Sequence, residues 1–200
     1  MNAERSNFGN PIDEERSESP DSGGSSQGKD FNNVEPKSKK SSWLERYDQD
    51  PKKYDLVPSA KSIAIKSLLC HWFHTDPNDK VIIFVQWKLM ARILGRMLNA
   101  ENHGFVYYTG DMNKQARVEA VKVFHDNPRV KILIAGLKCG GQGLNLTCAN
   151  RVISVDLWWN HSVEQQAFGR VFRIGQLKNT YLHRMVVNHT VDSRLLESKS

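Results

Sequence analysis

The sequence predicts a three-layer α/β domain, in which helices cover both faces of a mostly parallel central sheet. Short apolar runs alternate strictly with segments of helical periodicity, which is the pattern of successive strand–helix–strand units. The run Val81–Val85 contains only apolar residues, as expected of a strand that is buried on both of its faces. Both observations favour a parallel sheet.

The first half of the predicted domain holds three helices and two strands. In the helices, apolar residues recur three and four positions apart, and Pro58-Ser59 supplies a start signal for the first helix. The helices lie around Ile65–Trp72, Leu89–Leu98 and Ala116–Phe124. The continuous apolar runs Val81–Val85 and Phe105–Tyr108 predict the strands between them.

The second half continues the alternation. Lys131–Ala135 predicts a strand, and the glycines after it predict a short helix that includes Leu144. The remaining predicted elements are a strand at Val152–Val155, a helix over 162–173, a strand from Tyr181 to Val187 and a helix from Thr190 onward. The domain is therefore expected to span residues 58–197.

A polar segment precedes this domain. Residues 1–42 are rich in Ser, Gly, Asn, Asp and Glu, and they carry too little apolar surface to offset the entropy of ordering. We predict a disordered low-complexity tail at 1–42 and a linker at 43–57. We interpret the basic cluster Lys37–Lys40 as a solvated charge run, and a nuclear localisation signal is the alternative.

The charge is distributed unevenly. Residues 1–50 hold 7 Lys and Arg against 11 Asp and Glu, whereas residues 51–200 hold 21 against 11, a net charge of +10. A basic domain suits nucleic acid, a nucleotide or another anionic partner, and a basic solubility surface is the alternative.

Other features of the sequence exclude several classes of protein. Cys70, Cys139 and Cys148 form no CxxC pair, so neither a zinc site nor a disulfide framework is indicated, and we predict no metal site in this chain. The N-terminus lacks the apolar region of a secretory signal. No run approaches the roughly 18 apolar residues of a membrane span, so we expect a soluble intracellular protein without a membrane partner.

Four loops with chemically suggestive residues follow predicted strands. They are Gln86-Trp87, Tyr108–Met112, Gly136–Gly143 and Asp156–His161. Ligands of open α/β sheets bind at the carboxyl ends of the strands, so we expect these loops to converge on one site.

Two of these loops allow more than one interpretation. The glycines of Gly136–Gly143 permit close approach to a phosphate, yet no Gly-Lys-Ser/Thr follows, and a tight structural turn is the alternative. The pair Trp158-Trp159 serves either packing or stacking against nucleic acid.

Two arginines three residues apart stand out in the segment 162–176. If this segment is helical, Gln166, Arg170 and Arg173 share one face, while Val163, Ala167 and Val171 form an apolar stripe. Guanidinium groups grip polyphosphates through paired hydrogen bonds, which makes the pair candidate arginine fingers. The alternative is a solvated face with surface ion pairs.

These motifs occur in one order with short spacings. In chain order they are Val81–Trp87, Tyr108–Met112 with Arg117, Leu137–Asn150, Asp156–Asn160 and Gln166–Gln176. In this arrangement, residues 58–197 resemble the second RecA-like lobe, or helicase C-terminal domain, of the Swi/Snf-type superfamily-two DNA-dependent ATPases. The ending Arg173-Ile174-Gly175-Gln176 is typical of that branch.

The resemblance implies roles for individual residues. Arg170 and Arg173 are expected to be arginine fingers that complete an ATP site. The residues expected near the nucleotide are Gln166, Gly141, Gly143 and Asn145. The residues expected to face DNA, or to support that surface, are Gln86, Thr109, Arg117, Lys138 and Trp159.

The resemblance also implies partners. ATP and Mg are expected to be held mainly by a first RecA-like lobe, which a parent chain or a partner protein provides. Duplex DNA is the expected substrate, nucleosomes are a possible one, and the nucleus is the expected location.

The sequence lacks a Walker A motif and an acidic Walker B box. Phosphoryl transfer needs both, so the chain is predicted not to hydrolyse ATP alone, and we interpret it as a fragment or a split remnant. Three hypotheses remain: one half of a DNA translocase for chromatin remodelling or DNA repair, a non-enzymatic DNA-binding module, and a competitor that docks on the first lobe of a relative.

Overall fold

The computed structural model describes residues 35–36, 45–46, 49, 59–141 and 144–197. The predicted tail and linker therefore lie almost wholly outside the described residues, as does Gly143.

Within residues 59–141 and 144–197, five strands and five α-helices follow one another along the chain. They are α1 (Ala60–Thr75), β1 (Val81–Val85), α2 (Lys88–Ala100), β2 (Gly104–Tyr108), α3 (Lys114–Asp126), β3 (Val130–Gly136), β4 (Arg151–Ser154), α4 (His161–Phe168), β5 (Tyr181–Arg184) and α5 (Val191–Glu197). A 3₁₀ helix, Leu137–Gly141, follows β3 directly.

The strands form one sheet in the order β2-β3-β1-β4-β5, and every neighbouring pair is parallel. All five residues of the central strand β1 are buried, because neighbours pair with it on both sides and helices cover both faces. The predicted fold class is confirmed.

The register of the sheet shows which helices cover which face. Tyr107 of β2 and His183 of β5 belong to one row of register partners across the sheet, so their side chains share a face. Helix α2 lies over Tyr107 at Gly95, and Trp72 of α1 lies 4.9 Å from His183, measured between ring centroids. The opposite face carries α4, whose Phe168 ring lies 5.9 Å from that of Phe84. The three layers are thus the helices α1 and α2 on one face, the sheet itself, and helix α4 on the opposite face.

The helix predicted over 162–173 is shorter than expected. Helix α4 ends at Phe168, and Gly169 forms its C-cap. After the cap the backbone hydrogen bonds change from the α-helical to the shorter 3₁₀ pattern, since the amides of Arg170 and Val171 donate to carbonyls three residues back. Val171 turns into the core, where it is fully buried. Arg170 and Arg173 therefore lie in turns. The prediction that they share one helix face with Gln166 is wrong.

One smaller prediction also fails. Leu144 lies outside any helix, because the short helix of this region is the 3₁₀ helix that ends at Gly141. Within α4, Glu164 is completely buried beside Ala167 and Phe168, whereas Val163 is only half-buried. The predicted apolar stripe is nevertheless buried at Ala167 and Val171, and Val163 packs partly against the core.

A charged network closes the amino-terminal edge of the sheet. The Asp79 carboxylate accepts hydrogen bonds from Arg151 Nε at 2.8 Å and from Lys178 Nζ at 2.9 Å. The Arg151 guanidinium lies between two rings, 5.2 Å from the centroid of Trp72 and 4.4 Å from that of Tyr181. This network fixes the segment that follows the arginine-bearing turn to the start of β4.

Gly95→Ala is predicted to destabilise the domain by about 1–3 kcal/mol, through overpacking. A Cβ atom at this position lies 1.8 Å from the hydroxyl oxygen of the buried Tyr107, and this clash exceeds the gain in helix propensity. Urea unfolding measures the change. Asn99→Ala on the exposed side of α2 is the matched control and is expected to lose no stability; equal stability of Gly95→Ala and Asn99→Ala contradicts the prediction.

Asp79→Asn is predicted to destabilise the domain at neutral pH by on the order of 1–3 kcal/mol, because Arg151 and Lys178 lose their anionic partner and one of its two acceptor oxygens. Burial raises the pKa of Asp79, but hydrogen bonds from Asn150, Lys178 and Arg151 outweigh it and place this pKa below the usual value. The stabilisation is therefore present above the unfolded-state pKa of about 3.9 and is lost as the pH falls through the folded-state value. Unfolding measured from pH 7 to pH 3 should show the difference between wild type and variant shrinking below about pH 4. A constant difference contradicts this account.

Candidate functional site

Loops from four strands meet at the carboxyl-terminal edge of the sheet, because parallel strands end on the same side. Two cavities of about 250 and 160 Å³ lie there and share Gln86 and Trp87 from the loop after β1. The larger cavity extends to Asp156–Trp159 after β4, and the smaller one to Thr109 and Lys138 after β2 and β3. The structure thus brings together four of the five residues expected to face DNA.

Gln86 occupies the centre of this edge. Its backbone amide donates to Asp156 Oδ2 at 2.9 Å, which joins the loops after β1 and β4. Its side-chain Oε1 is buried and accepts no hydrogen bond from the described part of the chain. A buried acceptor without a donor is unfavourable by about 1–3 kcal/mol, and this atom is enclosed by the protein rather than open to a ligand.

The two tryptophans after β4 differ in their environments. The Trp158 amide donates to Oε1 of the fully buried Glu164 at 2.7 Å, and the Trp158 ring lies 5.2 Å from Lys138 Nζ. Trp159 is 68% exposed. Of the two alternatives for the pair, packing therefore describes Trp158, whereas the exposed ring of Trp159 remains available for stacking against nucleic acid.

Thr109 and Arg117 shape the loop after β2. The Thr109 side chain is buried, and its hydroxyl donates to Asp111 Oδ1 at 2.8 Å. Arg117 Nε donates to the Met112 carbonyl at 3.1 Å, and Arg117 lines a separate cavity with Tyr108. Burial raises the pKa of the Tyr108 hydroxyl, despite the nearby guanidinium.

A second part of the site joins the arginine-bearing turn to residues 144–150. The Leu146 amide donates to the Arg170 carbonyl at 3.1 Å. The side-chain amide of Gln176 donates to the carbonyls of Thr147 at 3.1 Å and Ala149 at 2.7 Å. Hydrogen bonds between segments distant in sequence therefore hold the turn in place.

The side chains expected near the nucleotide lie around this turn. Arg170 is half-buried, whereas Arg173 and Gln166 are exposed. Asn145 is exposed, and its Oδ1 accepts from the backbone and the hydroxyl of Thr147, at 3.3 and 2.9 Å. Gly141 ends the 3₁₀ helix after β3. The structure brings Asn145 next to the arginine-bearing turn and places Gln166 farther back, on α4.

Sequence reasoning missed three residues that position this site: Asp156, Glu164 and Gln176. A signal existed for Glu164, because it precedes the buried Ala167 and Phe168 by three and four residues, which places it on the inner side of a helix. Asp156 and Gln176 stand in motifs of the sequence, but no local signal indicated their hydrogen-bond partners, which lie 70 and at least 27 residues away.

The described ranges contain no group of three or more His, Cys, Asp or Glu side chains that could hold a metal ion. No helix within them is long and apolar enough to cross a bilayer. Burial raises the pKa of Cys139 and Cys148, which keeps these thiols protonated at neutral pH.

Comparisons with known proteins agree with this geometry. Residues 60–175 match the family model of the helicase conserved C-terminal domain. The DNA repair protein rad8 of Schizosaccharomyces pombe is 38% identical over 146 residues, which are 73% of this chain and 13% of rad8. The chain thus spans about an eighth of the length of that relative.

Two solved structures share the fold. The C-terminal part of the Fun30 ATPase domain is 27% identical with a TM-score of 0.69, over 76% of this chain and 50% of that one. The SWI2/SNF2 ATPase core of Sulfolobus solfataricus, solved in complex with double-stranded DNA, is 32% identical with a TM-score of 0.61, over 72% of this chain and 30% of the core. The chain belongs to the helicase conserved C-terminal domain family, within the branch of the SWI2/SNF2-type ATPases.

Proposed function

We propose that this chain is the second lobe of an ATP-dependent DNA translocase that acts in chromatin remodelling or DNA repair in the nucleus. The observation that carries the proposal is the turn of Arg170 and Arg173, which hydrogen bonds hold against residues 144–150. Such a turn presents two permanent cations from a fixed backbone, as a site completed by another lobe requires.

The donor set of the chain fits the phosphates of ATP better than it fits Mg. Guanidinium groups donate paired hydrogen bonds to phosphate oxygens, and the turn provides two of them. Among the described residues, no acidic cluster is suited to hold the metal. When bound, Mg-ATP supplies the phosphoryl group whose transfer drives closure of two lobes.

Each candidate residue then has a defined task. Arg170 and Arg173 neutralise the charge that develops on the transferred phosphoryl group. Asn145 and Gln166 flank the nucleotide from either side of the turn, and Gly141 and Gly143 allow close approach of the backbone. The metal and the attacking water are positioned by the first lobe.

The carboxyl-terminal edge of the sheet is the proposed DNA surface. Lys138 and Trp159 are exposed there, and they supply a cation for phosphates and an aromatic face. Gln86 lies between the cavities, and Thr109 and Arg117 hold the adjacent loop. The double-stranded DNA in the related archaeal core supports duplex DNA as the substrate, and nucleosomal DNA follows as a substrate of a chromatin ATPase.

ATP hydrolysis is predicted to require a first lobe supplied separately, because this sequence has neither a Walker A motif nor an acidic Walker B box. The pure chain with duplex DNA should release no phosphate above background. Addition of the isolated first lobe of a SWI2/SNF2-type ATPase should produce DNA-stimulated release. In that mixture, Arg170→Ala and Arg173→Ala are expected to lower the rate by on the order of 10³-fold or more.

Arg129→Ala, which truncates an exposed arginine between α3 and β3, is the matched control and should keep the rate of the mixture. ATPase activity of the pure chain that Arg170→Ala removes contradicts the proposal. An inactive mixture in which this chain still binds DNA in a salt-sensitive manner supports a non-enzymatic DNA-binding module instead.

A further inference from the structure

Two residues of the predicted low-complexity tail, Glu35 and Pro36, belong to the described part of the chain. The Glu35 carboxylate contacts two arginines of α2 that lie 57 and 61 residues further along the sequence. Arg92 Nε donates to Glu35 Oε1 at 3.0 Å, and Arg96 Nη2 donates to Oε2 at 3.3 Å. Arg96 Nη1 also pairs with Oε1, so both carboxylate oxygens are engaged.

The two arginines form a site for an anion. Arg92 and Arg96 are one turn apart on α2, which places their side chains next to each other. These side chains are only 14% and 15% exposed, so solvent screens their mutual repulsion poorly. An anion between them offsets this repulsion, and a carboxylate fits because one guanidinium can donate to both of its oxygens. We name Arg92 and Arg96 the arginine clamp.

The dipeptide Glu35-Pro36 suits such a clamp. Proline fixes its own φ angle, and it biases the preceding residue towards extended backbone. Proline also lacks an N–H group, so the burial of Pro36 leaves no backbone amide unpaired at that position. A Glu-Pro segment therefore presents its carboxylate from a stiff, extended backbone, and it loses less conformational entropy on docking than a flexible segment does.

We propose that the arginine clamp is a binding site for an acidic Glu-Pro segment, and that Glu35-Pro36 of the same chain is its exchangeable ligand. The Glu35 side chain is 35% exposed, so solvent reaches the ion pairs and the segment can leave without unfolding of the lobe. The clamp thus holds the amino-terminal segment on α2 and accepts a competing acidic peptide when that segment departs. This site goes beyond the proposed function, because its ligand is neither DNA nor ATP.

A peptide titration followed by NMR tests the arginine clamp. The isotope-labelled full chain with the substitution Glu35→Ala, which vacates the clamp, is titrated with a peptide of residues 31–37. The Nε–H signals of Arg92 and Arg96 should shift in a saturable manner. In the wild-type chain the peptide should bind about tenfold more weakly, because the tethered segment competes at an effective concentration on the order of 1 mM.

Variants assign the binding to the carboxylate and to the arginines. A peptide with glutamine in place of Glu35 should bind the Glu35→Ala chain about tenfold more weakly, because its amide carries no charge. Adding Arg96→Lys to that chain keeps the positive charge but removes the paired donation, so it should also weaken binding about tenfold. Adding Arg129→Ala, which truncates an exposed arginine, is the matched control and should leave binding unchanged. Glu18→Ala removes a different glutamate of the tail, and this chain should bind the peptide as weakly as the wild type.

Several results overturn the proposal. The absence of saturable shifts up to about 1 mM peptide does so, because an affinity that weak would leave the clamp empty in the chain itself. Equal affinity of the wild-type and Glu35→Ala chains, or equal affinity for the glutamate and glutamine peptides, does so as well. A wild-type chain that sediments as a dimer, while Glu35→Ala sediments as a monomer, places the segment on a second copy and overturns the assignment within one chain. The titration contains neither DNA nor ATP, so its outcome is independent of the proposed function.

Discussion

The turn that carries Arg170 and Arg173 depends on hydrogen bonds to residues that are distant in sequence. Helix α4 has ended before the turn begins, so no regular secondary structure holds it. Its position is fixed by the Leu146 amide at one end and by the two carbonyls that Gln176 binds at the other. Side chains on a mobile turn lose entropy when they order around a ligand, and an anchored turn avoids much of that loss. The proposed nucleotide contacts therefore depend on this anchoring.

Helix α4 connects the two proposed surfaces. Near its start, Glu164 holds the Trp158 amide at the DNA edge, and at its end the chain enters the arginine-bearing turn. Eight residues of helix span only about 12 Å, so one rigid element touches both surfaces. Phe168 packs on Phe84 of the central strand, which holds the helix against the sheet. A shift of α4 would thus displace the tryptophan loop and the arginines together, which is the kind of shared element that coupling between DNA and ATP requires.

The sequence predicted the sheet well and the site only in part. Val81–Val85 is apolar throughout because both faces of β1 are covered. The position and bounds of this strand can therefore be read from local composition. The end of α4 was missed because the spacing of Val163, Ala167 and Val171 continues the helical period past Gly169, whereas the hydrogen bond from the Leu146 amide to the Arg170 carbonyl joins segments that are distant in sequence. Arg170 and Arg173 are proposed site residues on the basis of their chemistry, whereas the partners of Gln176 and Asp156 are brought near only by the fold.

Amide hydrogen exchange at Leu146 tests the anchoring most directly, since this amide donates to the Arg170 carbonyl. In a Gln176→Leu chain, the account predicts that Leu146 exchanges on the order of tenfold faster than in the wild type, because the turn separates from residues 144–150 more often. Amides of β1 should keep their wild-type protection. Unchanged exchange at Leu146 would show that the Gln176 hydrogen bonds do not hold the turn, and would contradict the account.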